Sequence, residues 1–141
     1  MSRVFWDAMM FIYLLEGHPK FAKIIRRVLS ESHTRSDILL TSHLSLAEAL
    51  VGTPGGSGEV KILQETILRM GFTFIPFDQA AVEPFRLLRT DFRLKQPDAM
   101  HLACAASAKT DLFLTNDTEL LKKKLRVPGV HFIANFENAP L

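Results

Sequence analysis

Apolar and polar positions along this chain fall into two recurring patterns: short continuous apolar runs, and longer stretches with apolar residues three and four apart. Residues 3–6 (RVFW) form the first run, with the composition of a buried strand. Met9 to Leu15 is apolar on nearly every side and should begin a helix. Phe21, Ile24, Ile25, Val28 and Leu29 trace a helical stripe, and Pro19 is placed to open that helix at its first turn. Ile38–Thr41 reads as strand two, and Leu44–Val51 as a helix stopped by Gly52 and Pro54. The segment TPGGSG (53–58) is the clearest loop. Val60, Ile62, Leu63, Ile67 and Leu68 predict a helix over 59–70, with Gly71 just past its end. Phe72–Pro76 reads as strand three, 79–91 as a helix disturbed at Pro84, and Pro97 as the first turn of a helix reaching about Ala108. Leu112–Thr115, a short helix over 117–124 and Val130–Ile133 complete the series.

Strands that alternate with helices predict a parallel sheet covered on both faces. With no internal repeat and no linker, one α/β domain should span residues 1–141. At 48% hydrophobic and 23% charged residues, the chain is neither a disordered tail nor a coiled coil. The single cysteine, Cys104, excludes an internal disulfide and a multi-cysteine zinc site, and fits a reducing, cytoplasmic setting. No apolar run is long enough to span a membrane. The opening MSRVFWDAMMFIYLLEG resembles a secretory leader superficially, but Asp7 and Glu16 interrupt it and no small-residue cleavage site follows. A net charge of +2 permits a nucleic-acid partner without pointing to one.

The acids change the picture. Ligand sites in open α/β sheets gather outside the carboxyl ends of the strands, where strand order reverses. Asp7 directly follows strand one and Asp117 follows strand four by two residues; in the order 3-2-1-4-5 those strands are neighbours at the reversal. Glu48 shares the apolar stripe of its helix with Leu44 and Val51, and Asp98 lies in the first turn of the helix before strand four. Ordinary roles compete. Asp98 could simply favour a helix start, and Asp117 could be a cap, although Asn116 with Glu119 already meets the capping-box spacing. Asp7, wedged between Val4-Phe5-Trp6 and Met9–Leu15, is costly if buried without compensation. The segment AMHLACAASA (99–108) is almost uncharged, so an acid at its mouth points toward an enclosed cleft. Converging carboxylates repel, and a divalent cation is the simple remedy.

Oxygen-only donors select Mg²⁺ or Mn²⁺, which can activate water against a phosphodiester. Asp7, Asp98 and Asp117 would then coordinate metal directly or through water. Glu48 would orient or deprotonate the attacking water, or ligate a second ion. No G-x-S-x-G elbow, H-E-x-x-H pair or Walker lysine loop offers another chemistry. His101, three residues after Asp98, either braces a carboxylate, reaches substrate or merely packs; Cys104 is expected to fill core.

The pieces VFWDAMMFIYLLEG, SLAEAL, KQPDAMHLACAA and LFLTNDTEL together resemble the PIN-domain family, particularly its VapC-like toxin ribonucleases. The resemblance covers nearly the whole chain. It implies a three-layer α/β/α fold with a five-stranded parallel sheet of order 3-2-1-4-5, a Mg²⁺ or Mn²⁺ pocket and endonucleolytic cleavage of RNA. It also implies frequent homodimers and, for toxins, a blocking antitoxin. Asp7, Glu48, Asp98 and Asp117 match the family's four acids in order; Thr115 matches the hydroxyl residue before the last, flanked by Asn116. One departure stands out: Ala8 and Met9 follow the first acid, where the family usually carries Thr or Ser and then Asn or Ser.

For an RNA substrate, Arg86, Arg89, Arg93 and Lys95 precede Asp98, and Lys122, Lys123, Lys124 and Arg126 follow Asp117; each run could contact phosphates or be a solvated helix face. Single-stranded or loop RNA suits a cleft best. The stripe Phe21, Ile24, Ile25, Val28 with Met9–Leu15 is either core or a groove for an antitoxin helix. Two rivals to a toxin ribonuclease are a degenerate PIN module that binds RNA or protein without cutting, and another acid-pocket phosphohydrolase, for which no D-x-D follows strand one.

Overall fold

This computed structural model describes residues 1–51 and 55–138. Strands β1 (Arg3–Trp6), β2 (Ile38–Ser42), β3 (Thr73–Ile75), β4 (Thr110–Thr115) and β5 (Val130–Asn135) form one parallel sheet of order β3-β2-β1-β4-β5, as the sequence predicts. Between them run α1 (Ala8–Glu16), α2 (Phe21–Thr34), α3 (His43–Val51), α4 (Ser57–Leu68), α5 (Gln79–Thr90), α6 (Gln96–Ser107) and α7 (Thr118–Lys122), and a short 3₁₀ turn at Phe136–Asn138 closes the series. The stop at Gly52 and Pro54, and the first half of the 53–58 loop, lie outside the described residues.

Strand alternation sends successive side chains to opposite faces. Phe5, Leu40 and Phe113 face a layer built from α5, α6 and α7, with Leu88, Leu102 and Leu120. Val4, Trp6, Leu39, Leu112 and Leu114 face α1 to α4, with Met10, Phe11, Ile25 and Ile67. The sheet is therefore the middle of three layers, and each large side chain covered this way contributes roughly 1.5–3 kcal/mol. The stripe on α1 and α2 serves this packing: Ile25 and Val28 are buried, and Phe21, Ile24 and Leu29 pack against the same cluster. Cys104 is a core filler, its thiol pushed up to about 11 by burial and then by Asp78.

Several boundaries move for local reasons. Helix α2 is regular from Phe21, and Pro19 lies in the turn that leads into it. The Ala22 N–H reaches back to His18 O at 3.1 Å, and the His18 Nδ1 accepts the N–H groups of Lys20 and Phe21 at 3.1 Å. Helix α4 starts two residues before Glu59, whose carboxylate reaches back to the Gly56 N–H at 3.0 Å. Of its expected stripe, Ile67 is buried and Leu63 partly so, while Ile62 and Leu68 stay exposed. Helix α5 runs continuously through Pro84. No helix among the described residues is long and apolar enough to cross a membrane.

The amino-terminal edge of the sheet is tied down by polar contacts. Asp37 accepts the Ser2 N–H at 2.9 Å and the Arg35 guanidinium at 2.7 Å; Asp111 accepts the Arg3 N–H at 2.8 Å. Gly129 adopts φ +93° just before β5, where an added Cβ would lie 2.5 Å from the Ala106 carbonyl oxygen.

Candidate active site

At the opposite edge, β1 and β4 deliver two acids side by side. The Asp7 N–H continues the ladder to Leu114 O at 3.0 Å, which places its side chain at the end of β4. One carboxylate oxygen of Asp7 accepts the Ala8 N–H at 2.6 Å, starting α1, and the other accepts the Thr115 hydroxyl at 2.7 Å. That hydroxyl in turn accepts the Asp117 N–H at 3.1 Å. Asp117 is the N-cap of α7: its Oδ1 accepts the N–H groups of Glu119 and Leu120. This corrects the expectation that Asn116 caps the helix; Asn116 instead donates to the Tyr13 hydroxyl at 3.3 Å, and Asp117 takes the extended backbone a cap requires. Capping engages one oxygen of Asp117, and its Oδ2 remains for other use.

Helix α6 brings Asp98 in its first turn, where Pro97 favours the helix start. The Asp98 carboxyl is raised by burial and then by the charges of Asp117 and Asp7, opposed by His101 and Lys95. Asp7 is raised chiefly by burial, against His101, Thr115 and Ala8, with Glu48 adding to the rise. The acids thus feel one another. Among the described residues no three such side chains are arranged to hold a single ion directly.

Glu48 is held from the side. His101, 4% exposed, meets Glu48 Oε2 through Nε2 at 3.2 Å; since a carboxylate only accepts, Nε2 carries the proton. Its Nδ1 faces the hydroxyls of Ser45 at 3.1 Å and Ser42 at 3.4 Å, both buried. Burial pulls the imidazole down, but the Glu48 hydrogen bond and the charges of Asp7, Glu48 and Asp98 outweigh it and leave it raised. Of the three roles open to His101 in the sequence, the structure shows bracing, of Glu48 and not of its helix neighbour Asp98. The two serines were not among the expected site residues.

A cleft of about 330 Å³ opens over Asp98 and Asp117, with Arg93, Lys95 and Lys123 along its wall beside Glu119. Arg93 sits there with a left-handed backbone (φ 53°), and the preceding turn is held by Arg89, which donates to Leu94 O at 2.8 Å. Arg86 is paired with Glu83 on the outer face of α5 and does not line this cleft.

The PIN-domain family model matches residues 4–125, the stretch that contains all four acids. The chain belongs to the PIN-domain family. No curated protein sequence matches it. Its fold is similar to that of VapBC2 from Rickettsia felis, solved bound to a promoter DNA fragment (TM-score 0.74, 15% identity, 94% of this chain and 97% of that one). It is similar also to FitAcB from Neisseria gonorrhoeae (0.70, 15%, 96% and 99%) and to a toxin–antitoxin complex from Klebsiella pneumoniae (0.62, 24%, 92% and 95%). In this PIN domain Ala8 is buried and carries no hydroxyl, and the hydroxyl that touches the first acid comes from Thr115.

Whether the residues suit a hard divalent cation is a matter of donors and charge. Carboxylates line the cleft, and the Asp98 carboxyl, raised by burial and then by the charges of Asp117 and Asp7, is one that a cation would return to its charged form. Mg²⁺ commonly keeps several waters and takes only one or two carboxylates, which is compatible with the lack, among the described residues, of a three-ligand group. The set fits.

Proposed function

We propose that this PIN domain, a single unit over residues 1–141, is a Mg²⁺- or Mn²⁺-dependent endoribonuclease acting in the cytoplasm as the toxin of a toxin–antitoxin pair. The observation that carries the reading is a cleft that sets Asp98 and Asp117 beside Arg93, Lys95 and Lys123, with the Asp98 carboxyl raised by burial and then by the charges of Asp117 and Asp7. Asp7, Asp98 and Asp117 would hold the cation between them, one or two directly and the rest through water. When bound, it supplies positive charge against the phosphate and makes nearby water more acidic. Glu48, fixed through Oε2 by His101, presents its other oxygen to orient the attacking water and accept its proton. The basic wall holds the phosphates of a single strand whose bases splay into the cleft. The toxin–antitoxin complex from Klebsiella pneumoniae supports an antitoxin partner, and a homodimer is the expected assembly.

The purified protein, offered a panel of end-labelled RNAs with and without Mn²⁺, tests this. Cleavage should require the metal and fall on the order of 100-fold or more in Asp7→Asn and Asp98→Asn. RNA retained without cleavage under any metal would instead identify a binding module, the reading that the hydroxyl-free Ala8 favours.

A further inference from the structure

A second cleft, of about 590 Å³, lies along the free edge of β5, and it meets the acid cleft at Leu120 of α7. Lys123 lines one and Lys124 the other, so the two are neighbours around a single short helix. The floor of the second is apolar, with Leu121 and Val127. Its rim carries Lys124, Arg126 and His131, and no carboxylate among the described residues lines it. Outside the lining, Asp111 approaches His131, its Oδ1 3.7 Å from the imidazole Nδ1. Phe132 stands 65% exposed in mid-strand, an aromatic ring offered to solvent from the edge of a sheet.

We propose that this cleft is a subsite for a nucleotide of single-stranded RNA flanking the acid cleft, with a base on the Phe132 ring and phosphates on Lys124 and Arg126. The inference rests on the RNA reading above. A flat aromatic beside a cationic rim is the pairing that binds single strands regardless of sequence, because every base has a π-face and every nucleotide a phosphate. Duplex RNA does not satisfy it, since its bases are already stacked. A peptide strand added to β5 would use backbone groups and apolar pockets, and only an acidic one would draw on Lys124 and Arg126, whereas every nucleotide brings a phosphate. Continuity with the acid cleft supplies the geometry: a strand held over Asp98 and Asp117 has only the width of α7 to cross.

Fluorescence anisotropy on the full chain in EDTA, where cleavage is silent, tests the subsite. On a roughly twelve-nucleotide RNA, Phe132→Ala should weaken binding on the order of 10-fold and leave the salt dependence unchanged. Lys124→Ala combined with Arg126→Ala should lower the slope of log K against log salt by about 1.4. In the same EDTA titration an RNA of about four nucleotides, too short to span both clefts, should lose less affinity in Phe132→Ala than the longer RNA does. Unchanged twelve-nucleotide affinity in both variants overturns the subsite. So does a change of oligomeric state in Phe132→Ala with RNA affinity intact, which would give the β5 edge to a second copy of the chain. Wild-type protein that binds RNA through this edge yet cuts none under Mn²⁺ would sink the nuclease reading and leave the subsite standing.

Discussion

At the amino-terminal edge of the sheet Asp37 meets Arg35 and the Ser2 N–H; at the carboxyl edge Asp98 is buried within the field of Asp117 and Asp7. The same residue type therefore shifts in opposite directions. Burial works to raise Asp37, but its donors more than offset this and hold its carboxyl below the usual range. Asp98 is pushed above it. The first edge uses its polar groups to hold strands together, and the second keeps acids in a state that a proton, or the proposed cation, would relieve. This PIN domain is thus stabilised at one end and left electrostatically unfinished at the other, the end where the chemistry is proposed.

Substitutions can sharpen or break that contrast. Gly129→Ala strikes the stabilising edge hardest, because the new Cβ meets the Ala106 carbonyl at 2.5 Å and the backbone is left-handed. A loss of about 3 kcal/mol, or roughly 10 °C in Tm, is expected by calorimetry. Asp37→Ala should cost about 1–2 kcal/mol at neutral pH by leaving the Ser2 N–H and Arg35 without their acceptor. Because the folded value lies below the unfolded one, that stability is complete above about pH 4 and disappears as pH falls through the lowered value. Neither change should alter cleavage beyond its effect on the folded fraction.

Asp98→Asn should behave in the reverse way. With a raised folded value, the stability that Asp98 contributes is complete below the ordinary carboxylate value and is lost as pH rises through the raised one. Neutralisation should therefore raise the Tm of the metal-free protein by a few degrees at neutral pH, with the gain vanishing in acid. Mn²⁺ should then raise the wild-type Tm more than the variant's. A variant that melts lower than wild type, with an intact Mn²⁺ response, would mean the acids are not crowded. The smallest effect is expected at Arg93→Gly. Relief of its left-handed backbone should add under about 1 kcal/mol, while RNA affinity falls, so that stability and binding move apart.

The sheet was legible because buried parallel strands read as short apolar runs, and β1, β2, β4 and β5 each have one. So was the approximate position of Asp7 and Asp117, which follows from strand ends alone. What escaped was anything set by a partner distant in sequence. Ser42 and Ser45 look like interruptions of an apolar run until His101, 59 and 56 residues away, closes on them. Nothing around Glu48 in the chain hints at its imidazole brace. Asn116 and Asp117 are adjacent and equally able to cap α7, so spacing alone misplaces the cap; only the backbone decides, and it turns at Asp117. Just ahead of α2 a histidine ring takes two backbone N–H groups, a role that capping rules do not assign to that side chain.

Thr115 has one hydrogen to give and gives it to Asp7, while its lone pair takes the amide of Asp117. A single oxygen atom thereby acts as a spacer gauge between two negatively charged residues from opposite ends of the chain. Exchanging that hydroxyl for a methyl group of similar size, as in Thr115→Val, would leave the side chain's shape nearly untouched and yet uncouple both acids at once. The width of this PIN domain's acidic mouth is therefore adjustable through one hydroxyl.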